Sequence, residues 1–316
     1  MELVLGLAFA RGLVTVSERP VIAIFGPTAS GKSAVAGAVA ELLQGEFVSA
    51  DAMQVYRELP ILTNQSPARL VGIWSLDHEA SVGEYAELAH EAIDEILARG
   101  RTPIVVGGTG LYLRAALAEI ALPPAPEPGA RERWQQTYDE LGPEQAHALL
   151  AERDPAAAAV VHANDRRRVV RALELGEIGS SLAPADSRLW NAEMRHPTLV
   201  FGLELTREVL DTRIEERTRA MFERGVQKEV QRALTQPLST TAHKVMGLSE
   251  VAELEPEQAI EQLAARTRRY AAYQRKWMRR IPELVSVNAN RSPKEVADEI
   301  VEVARTRKRL PAPRAV

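Results

Sequence analysis

The chain has 316 residues, of which 46% are hydrophobic and 26% charged, a balance typical of a globular protein with about two domains. The absence of cysteine excludes disulfides, thiolate zinc sites and cysteine nucleophiles, and it fits the cytoplasm, where we expect the protein. The net charge of −4 argues against nonspecific nucleic-acid binding, and no stretch approaches the about 18 uninterrupted apolar residues that a membrane span requires.

A complete phosphate loop follows the first predicted strand. The strand is expected at 21–25 and a helix at 33–43, and residues 26–33 between them read GPTASGKS, which matches G-x-x-x-x-G-K-[ST]. Two glycines allow the backbone amides to point inward, the lysine adds a mobile charge, and the start of the helix favours an anion. The sequence therefore predicts that a di- or triphosphate binds here, through Gly26, Pro27, Thr28, Ala29, Ser30, Gly31, Lys32 and Ser33.

An aspartate follows the second predicted strand, which covers 46–50. Asp51 opens the string DAMQVYREL, and the carboxyl ends of strands in an open α/β sheet are where ligands bind. We therefore expect Asp51 to face the same crevice as the phosphate loop. A carboxylate there can hold Mg²⁺ through water, bind a substrate hydroxyl or accept a proton, and the structural alternative is a helix N-cap.

A glycine-rich turn ends the third predicted strand, 102–108, which follows a predicted helix at 82–99. In the string VVGGTGLYLRAAL (105–117), two glycines allow close backbone approach, and Thr109 offers a hydroxyl. Gly110 precedes a further helix. The turn thus adds a hydroxyl to the predicted crevice.

The remaining pattern predicts a helical segment inserted into an α/β core. A proline-rich joint at 122–130 is followed by a helical, alanine-rich stretch to about residue 177, and 179–187 is interpreted as a loop. Beyond it we expect strands at 198–205 and 284–287 and helices at 207–224, 255–280 and 292–308. Strands that alternate with helices indicate a mainly parallel sheet flanked by helices, like that of phosphate-loop NTPases, here with a small all-helical insertion. The predicted domains are an N-terminal extension (1–19), a core (20–121 and 197–309), an insertion (122–196) and a tail (310–316).

Two basic clusters and an aromatic stripe lie in the predicted helices. One cluster spans 166–171 and the other 266–280, and each is either a solvated helix face or a patch for nucleic acid. Tyr270, Tyr273 and Trp277 recur at helical spacing within the second cluster. Such a stripe predicts core packing in preference to stacking on nucleic-acid bases.

The ordered strings of this chain resemble one enzyme family. GPTASGKS, DAMQVYR and VVGGTGLYL each follow a strand in the expected order, and together they resemble the tRNA dimethylallyltransferase family, also called tRNA isopentenyltransferase. Further segments are similar to family segments, namely HANDRRRVVRALEL (162–175), the helix at 210–230, HKVMGLSEV (243–251) and RRYAAYQRKWMRR (268–280). The resemblance covers roughly residues 21–283.

The resemblance implies a prenyl transfer in which diphosphate is the leaving group. The phosphate loop would bind the diphosphate of dimethylallyl diphosphate, with Mg²⁺ held by Ser33. The attacking group is the exocyclic amine of the adenosine on the 3′ side of the tRNA anticodon. The implied catalytic residues are Lys32, Thr28 and Arg217 at the diphosphate, Asp51 as general base, and Thr109 as the residue that orients the amine.

The resemblance also implies where the tRNA anticodon stem-loop binds. Gln54 is the implied reader of the flipped adenine, and the RNA threads between the insertion and the core. The full set of implied tRNA contacts is Asp51, Ala52, Met53, Gln54, Thr109, Arg131, Arg167, Arg168, Arg171 and Lys244. The family is described as monomeric, so a monomer is implied as well.

Three segments depart from the family pattern, and two other functions use the same motifs. Ala52 stands where serine usually follows the aspartate, and the strings at 61–67 and 75–81 also differ, which affects the lining of the prenyl pocket. A small-molecule kinase would use the loop for ATP and Asp51 for an acceptor hydroxyl. A tRNA-binding protein that has lost its chemistry is the third alternative. VVGGTGLYL and the helical string at 162–175 favour the prenyltransferase.

Overall fold

Five parallel strands form a single sheet in the computed structural model, which describes residues 19–120, 127, 129–182 and 193–307. The strands are β1 (Val21–Phe25), β2 (Gly45–Ser49), β3 (Thr102–Gly107), β4 (Thr198–Glu204) and β5 (Val285–Asn288). Their order across the sheet is β2-β3-β1-β4-β5, and every neighbouring pair is parallel. The predicted α/β fold is confirmed, and each predicted strand agrees with the observed one to within a residue at either end.

Helices cover both faces of the sheet. They are α1 (Lys32–Leu43), α2 (Val82–Ala98), α3 (Gly110–Leu117), α4 (Ala130–Arg153), α5 (Pro155–Ala158), α6 (Arg166–Glu177), α7 (Arg207–Glu223), α8 (Val226–Ala233), α9 (Leu248–Glu253), α10 (Pro256–Met278) and α11 (Pro293–Arg307). Strand β1 alternates between two cores, because successive side chains point to opposite faces. Ala23 and Phe25 pack with α2 and α3, whereas Ile22 and Ile24 pack with α1 and α11. The described residues include no helix that is both long and apolar enough to cross a bilayer.

Helices α4, α5 and α6 share a hydrophobic cluster of their own, which includes Trp134, Leu150, Val169 and Leu173. Helix α4 bends at Gly142, whose φ of 78° and ψ of 169° are not helical. The predicted helical stretch between about 131 and 177 is therefore confirmed. The domain boundaries stay our proposal, and most of the residues at the two joints lie outside the described ranges, as do residues 1–18 of the extension and the tail.

The carboxyl edge of the sheet gathers the predicted motifs. Strand β1 is central, with β3 on one side and β4 on the other, and the turns after β1, β2 and β3 emerge at the same edge. Ligands in open parallel sheets bind outside this edge, near the strand where the chain direction across the sheet reverses. The sheet order therefore brings the phosphate loop, Asp51 and Thr109 to one crevice.

Candidate active site

The phosphate loop connects β1 to α1 and has two positions that require glycine. Gly31 has a φ of 87° and precedes the first residue of α1. A Cβ on Gly26 would lie 2.8 Å from the hydroxyl oxygen of Ser30, so a larger residue would displace the loop. The Lys32 ammonium donates a hydrogen bond of 2.8 Å to the carbonyl oxygen of Pro27 and so folds back over the loop.

A cavity of about 70 Å³ adjoins this loop and has a charged part and an apolar part. Thr28, Lys32, Asp51 and Arg217 line the charged part, and Met53, Leu62, Met221, Met246 and Leu263 line the apolar part. A Cβ on Gly247 would lie 2.8 Å from a methyl of Leu62 and 3.0 Å from one of Leu263, so the apolar wall is closely packed there. The apolar residues come from several segments, and of them sequence analysis had named Met53 and the 61–67 string, which contains Leu62.

The cavity holds more positive than negative charge, because Asp51 is the one acid among the described residues beside the two cations Lys32 and Arg217. Burial lowers the pKa of Lys32 to about 8, while Asp51 opposes the shift and Arg217 adds to it. Burial also lowers the pKa of the Arg217 guanidinium, with Asp51 again opposing. The Nε atom of Arg217 is buried and has no hydrogen-bond partner. A buried donor without a partner is costly, and an anion bound here would both balance the charge and supply the missing hydrogen bond.

Asp51 lies in a turn and does not cap a helix. Its Oδ1 atom accepts a hydrogen bond of 2.9 Å from the Met53 amide, and the next residues form turns. The other carboxylate oxygen makes no hydrogen bond within the described ranges. Across the crevice, the Thr109 hydroxyl lies 3.5 Å from the Ala52 amide and 3.4 Å from the Tyr270 hydroxyl. The structure thus brings Asp51 and Thr109 together, at the ends of neighbouring strands.

Both polar atoms of the Gln54 side chain make hydrogen bonds within the protein. Its Nε2 atom donates to the carbonyl oxygens of Thr63 and Asn64, at 3.2 and 3.1 Å. Its Oε1 atom accepts a hydrogen bond of 3.1 Å from the Ser49 hydroxyl. If Gln54 reads a base, the 63–64 segment must first release it.

Gln274 is a site residue that sequence reasoning missed. It is 2% exposed, its Oε1 accepts a hydrogen bond of 2.7 Å from the Thr28 amide, and its Nε2 donates one of 2.9 Å to the Gly108 carbonyl. One side chain therefore tethers the phosphate loop to the turn that carries Thr109. The available signal was a lone amide four residues after Tyr270, among the basic and aromatic residues of one helix.

Glu229 is a second missed residue, and it fixes a wall of the cavity. Its side chain is buried, and its carboxylate accepts hydrogen bonds of 2.8 Å from the amides of both Ile61 and Leu62. Buried carboxylates require such partners. Glu229 lies on the apolar stripe of α8, between Val226 and Ala233. An acid on an apolar helix face was the signal that could have identified it.

Two of the predicted tRNA contacts are held by one buried acid. Arg131 and Arg171 bond to the two carboxylate oxygens of Glu174, at 3.0 and 2.8 Å, and the Glu174 side chain is 1% exposed. Removing one partner of a buried ion pair is strongly destabilising. These two arginines therefore stabilise the α4 and α6 pair in addition to any contact with RNA.

The three remaining basic residues among the predicted tRNA contacts are exposed and form a positive surface. Arg167 and Arg168 are exposed at the start of α6, and Lys244 is exposed on a turn that precedes α9. The pKa of Lys244 is lowered, first by partial burial and then by the charges of Arg167 and Arg131. Residues distant in sequence thus meet at one surface of like charge, which suits a polyanion.

The aromatic stripe of α10 divides between interior and surface. Tyr270 and Trp277 are half-buried, whereas Tyr273 is 55% exposed, so the prediction of core packing is wrong for Tyr273. With 3.6 residues per turn, Tyr273 lies about 60° around the helix from Tyr270 and about 40° from Trp277. That rotation turns it toward solvent.

The fold and the site together define a phosphate-loop α/β protein with an anion site next to an apolar cavity. The sequence model of one family, described as IPP transferase, matches residues 54–281, and the chain belongs to this family. It is 39% identical over 284 residues to the tRNA dimethylallyltransferase of Corynebacterium jeikeium, covering 85% of this chain and 91% of that protein. It is also 39% identical to the tRNA dimethylallyltransferase of Mycobacteroides abscessus, covering 89% of this chain and 96% of that protein.

Solved structures give the same result. The tRNA isopentenylpyrophosphate transferase of Bacillus halodurans superposes with a TM-score of 0.65 at 29% identity and covers 92% of this chain and 98% of its own. A eukaryotic dimethylallyltransferase described as acting on tRNA superposes with a TM-score of 0.75 at 26% identity, covering 94% of this chain and 82% of that one. The predicted family and fold are confirmed.

Proposed function

We propose that this protein is a tRNA dimethylallyltransferase. It transfers the dimethylallyl group of dimethylallyl diphosphate to the exocyclic amine of the adenosine on the 3′ side of the anticodon and releases diphosphate. The observation that carries the proposal is the cavity in which two half-buried cations, Lys32 and Arg217, adjoin a wall of leucine and methionine side chains. A prenyl diphosphate has the same two parts, a polyanion and a short apolar chain.

The donor lies with its diphosphate on the phosphate loop. The loop amides, Lys32 and Arg217 bind the phosphate oxygens, and Thr28 contacts them near the bond that breaks. The dimethylallyl group lies against Met53, Met246 and the other apolar residues of the cavity. Burying its five carbons gives about 0.8 kcal/mol per carbon at most, so most of the affinity comes from the diphosphate.

The transfer forms a bond from the adenosine N6 to the allylic carbon while the bond from that carbon to the diphosphate oxygen breaks. Both electrons of the breaking bond leave with diphosphate, and the proton lost by N6 moves to the Asp51 carboxylate. Thr109, which lies beside Asp51, orients the amine. Negative charge grows on the leaving oxygen, so Lys32, Arg217 and the loop amides stabilise the transition state more than the ground state.

Mg²⁺ fits the residues at the start of α1. The Ser33 side chain is exposed, and its hydroxyl has no hydrogen-bond partner in the described part of the chain. No group of three His, Cys, Asp or Glu side chains that could hold a metal occurs among the described residues. Mg²⁺ commonly uses few protein ligands and completes its shell with phosphate oxygens and water. We propose that Ser33 holds the ion, which when bound neutralises charge on the leaving diphosphate.

The acceptor is a tRNA anticodon stem-loop in the cytoplasm, bound by a monomer of this protein. Arg167, Arg168 and Lys244 bind RNA phosphates, with Arg131 and Arg171 beside them. The adenine leaves the loop stack to reach Asp51 and Thr109. Ala52, Met53 and Gln54 follow Asp51 in the same turn and meet the flipped nucleotide.

The test is transfer of labelled dimethylallyl diphosphate to unmodified tRNA in the presence of Mg²⁺. Mass spectrometry of the digested tRNA should find one dimethylallyl group on the adenosine next to the anticodon, and tRNA with guanosine at that position should stay unlabelled. The relatives and the apolar wall favour this activity over a kinase. ATP turnover on a small acceptor without any label on tRNA would instead support the kinase, and tRNA binding without transfer would support a protein that has lost its chemistry.

A further inference from the structure

Helix α10 lines the cavity from its charged part to its apolar part. Gln274 of this helix accepts a hydrogen bond of 2.7 Å from the Thr28 amide of the phosphate loop, and Leu263 lines the same cavity about three helical turns earlier. With a rise of 1.5 Å per residue, the two positions are about 16 Å apart along the helix axis. The cavity therefore begins at the phosphate loop and runs along α10 toward Leu263.

Leu62 packs beside Leu263 at the far end of the cavity. A Cβ on Gly247 would lie 2.8 Å from a methyl of Leu62 and 3.0 Å from one of Leu263, so both side chains press on the same backbone position. Gly247 has a φ of 94°, which disfavours any larger residue there. Leu62 is 5% exposed. Three segments of the chain thus meet in a closely packed end wall, which consists of Leu62, Gly247 and Leu263.

The backbone that carries Leu62 is fixed by a buried acid. The Glu229 carboxylate accepts hydrogen bonds of 2.8 Å from the amides of Ile61 and Leu62, and Glu229 is 3% exposed. A buried carboxylate that loses its donors is costly. Leu62 therefore cannot move aside for a longer ligand unless these hydrogen bonds break.

The space in front of the end wall is small. The cavity measures about 70 Å³, which includes both its charged and its apolar part. A cavity that holds one water measures about 10–15 Å³ on the same scale, so this one has room for about five to seven groups of that size. The five carbons of a dimethylallyl group nearly fill that room, whereas the ten carbons of a geranyl group exceed it.

We propose that Leu62 sets the length of the prenyl chain that this protein accepts. Its side chain closes the cavity beyond the dimethylallyl group, so geranyl diphosphate, which has the same diphosphate and one more isoprene unit, is excluded. The 61–67 string that carries Leu62 departs from the family pattern, so the inference concerns this chain's own lining. It rests on the proposed function and names the residue that selects the donor.

Truncation of Leu62 with a matched control tests the inference. Leu62→Ala removes three carbons from the end wall. Leu59→Ala removes the same three from the same hydrophobic cluster, where Leu59 is fully buried and is not one of the described residues that line the cavity. Calorimetry without tRNA measures the dissociation constants of dimethylallyl and geranyl diphosphate. Leu62→Ala should bind geranyl diphosphate at least about tenfold more tightly than wild type does, and Leu59→Ala should keep the wild-type preference. An unchanged preference in Leu62→Ala would overturn the inference.

Two further variants and a chain-free ligand separate chain length from other effects. Leu62→Met conserves volume and should keep the wild-type preference. Leu62→Val removes less than Leu62→Ala, so it serves if the alanine variant does not fold, and its gain in geranyl binding should be intermediate. Inorganic diphosphate has no prenyl chain and should bind every variant as it binds wild type. If its affinity falls together with the preference, Leu62 acts through the phosphate loop and the inference is wrong.

Binding and transfer report on different proposals. If wild type binds both donors equally, the inference is wrong even when wild type prenylates tRNA. If wild type prefers the dimethylallyl donor and Leu62→Ala loses that preference, but neither transfers anything to tRNA, the proposed function is wrong and the role of Leu62 stands. If wild type binds neither donor, both are wrong. When transfer occurs, mass spectrometry should find geranyl groups on tRNA treated with Leu62→Ala and geranyl diphosphate, and none with wild type.

Discussion

The proposed donor cavity and the proposed RNA-binding surface, here called the donor side and the RNA side, differ in how their charged residues are arranged. On the donor side, Asp51 and Arg217 are close enough to Lys32 to shift its pKa, and Asp51 also acts on the pKa of Arg217, all within one cavity. On the RNA side, the exposed Arg167 and Lys244 come from separate segments and lie on the surface. Charges in a cavity interact far more strongly than charges in water. Substitutions on the donor side should therefore change rates greatly and salt dependence little, and those on the RNA side should do the reverse.

The largest effect is expected from Asp51→Asn. The amide retains an oxygen for the Met53 hydrogen bond but cannot accept the proton from the amine, so transfer should fall about 10²–10⁴-fold. Donor binding should be retained, because a negative charge beside the two cations has been removed. Single-turnover transfer and calorimetric donor binding measure the two quantities. Unchanged turnover would remove Asp51 from its proposed role.

Arg217→Gln should give the next largest effect. Loss of a fixed charge at the leaving group should lower transfer about 10²–10³-fold. The matched control is Arg219→Gln, because Arg219 lies on the same helix, is 52% exposed and pairs with Glu215. Steady-state kinetics with tRNA in excess should find the loss only in the first variant. Equal losses in both would mean that α7 is merely perturbed.

Gln274→Met tests the residue that connects the two sides. The substitution conserves volume but leaves the Thr28 amide and the Gly108 carbonyl unpaired, at about 1–3 kcal/mol each. We expect the free energy of unfolding to fall by about 2–4 kcal/mol and both the donor KM and the rate of transfer to change. Urea unfolding and kinetics measure these quantities, with the exposed Gln262→Met on the same helix as control. Wild-type behaviour in both assays would contradict the tether.

The smallest expected effect is the pH dependence of donor binding. Because the pKa of Lys32 is lowered to about 8, its ammonium is present below that pH and is lost above it. Donor affinity should therefore be constant below pH 8 and fall about tenfold per pH unit above it. Lys32→Arg keeps its charge and should abolish the break. If the donor affinity of Lys32→Arg still falls above pH 8, the titrating group is not Lys32.

Much of the fold and the phosphate loop could be predicted because their signals are local. The loop is eight consecutive residues with glycines where the backbone demands them, at Gly26 and Gly31. The strands and long helices are encoded by short-range periodicity. Asp51 and Thr109 could be assigned to one crevice because a parallel sheet brings the ends of its strands to one edge.

The sequence by itself thus determined the strands, the phosphate loop and the family, since each depends on neighbours along the chain. Only the tertiary structure decided that Gln274 bonds to Thr28, that Glu229 holds the 61–62 amides and that Tyr273 faces solvent. These outcomes depend on partners more than 160 residues away or on a rotation of a few tens of degrees about a helix axis. Hydrogen bonding and burial are properties of the packed molecule, and no local pattern specifies which distant group will satisfy a buried polar atom.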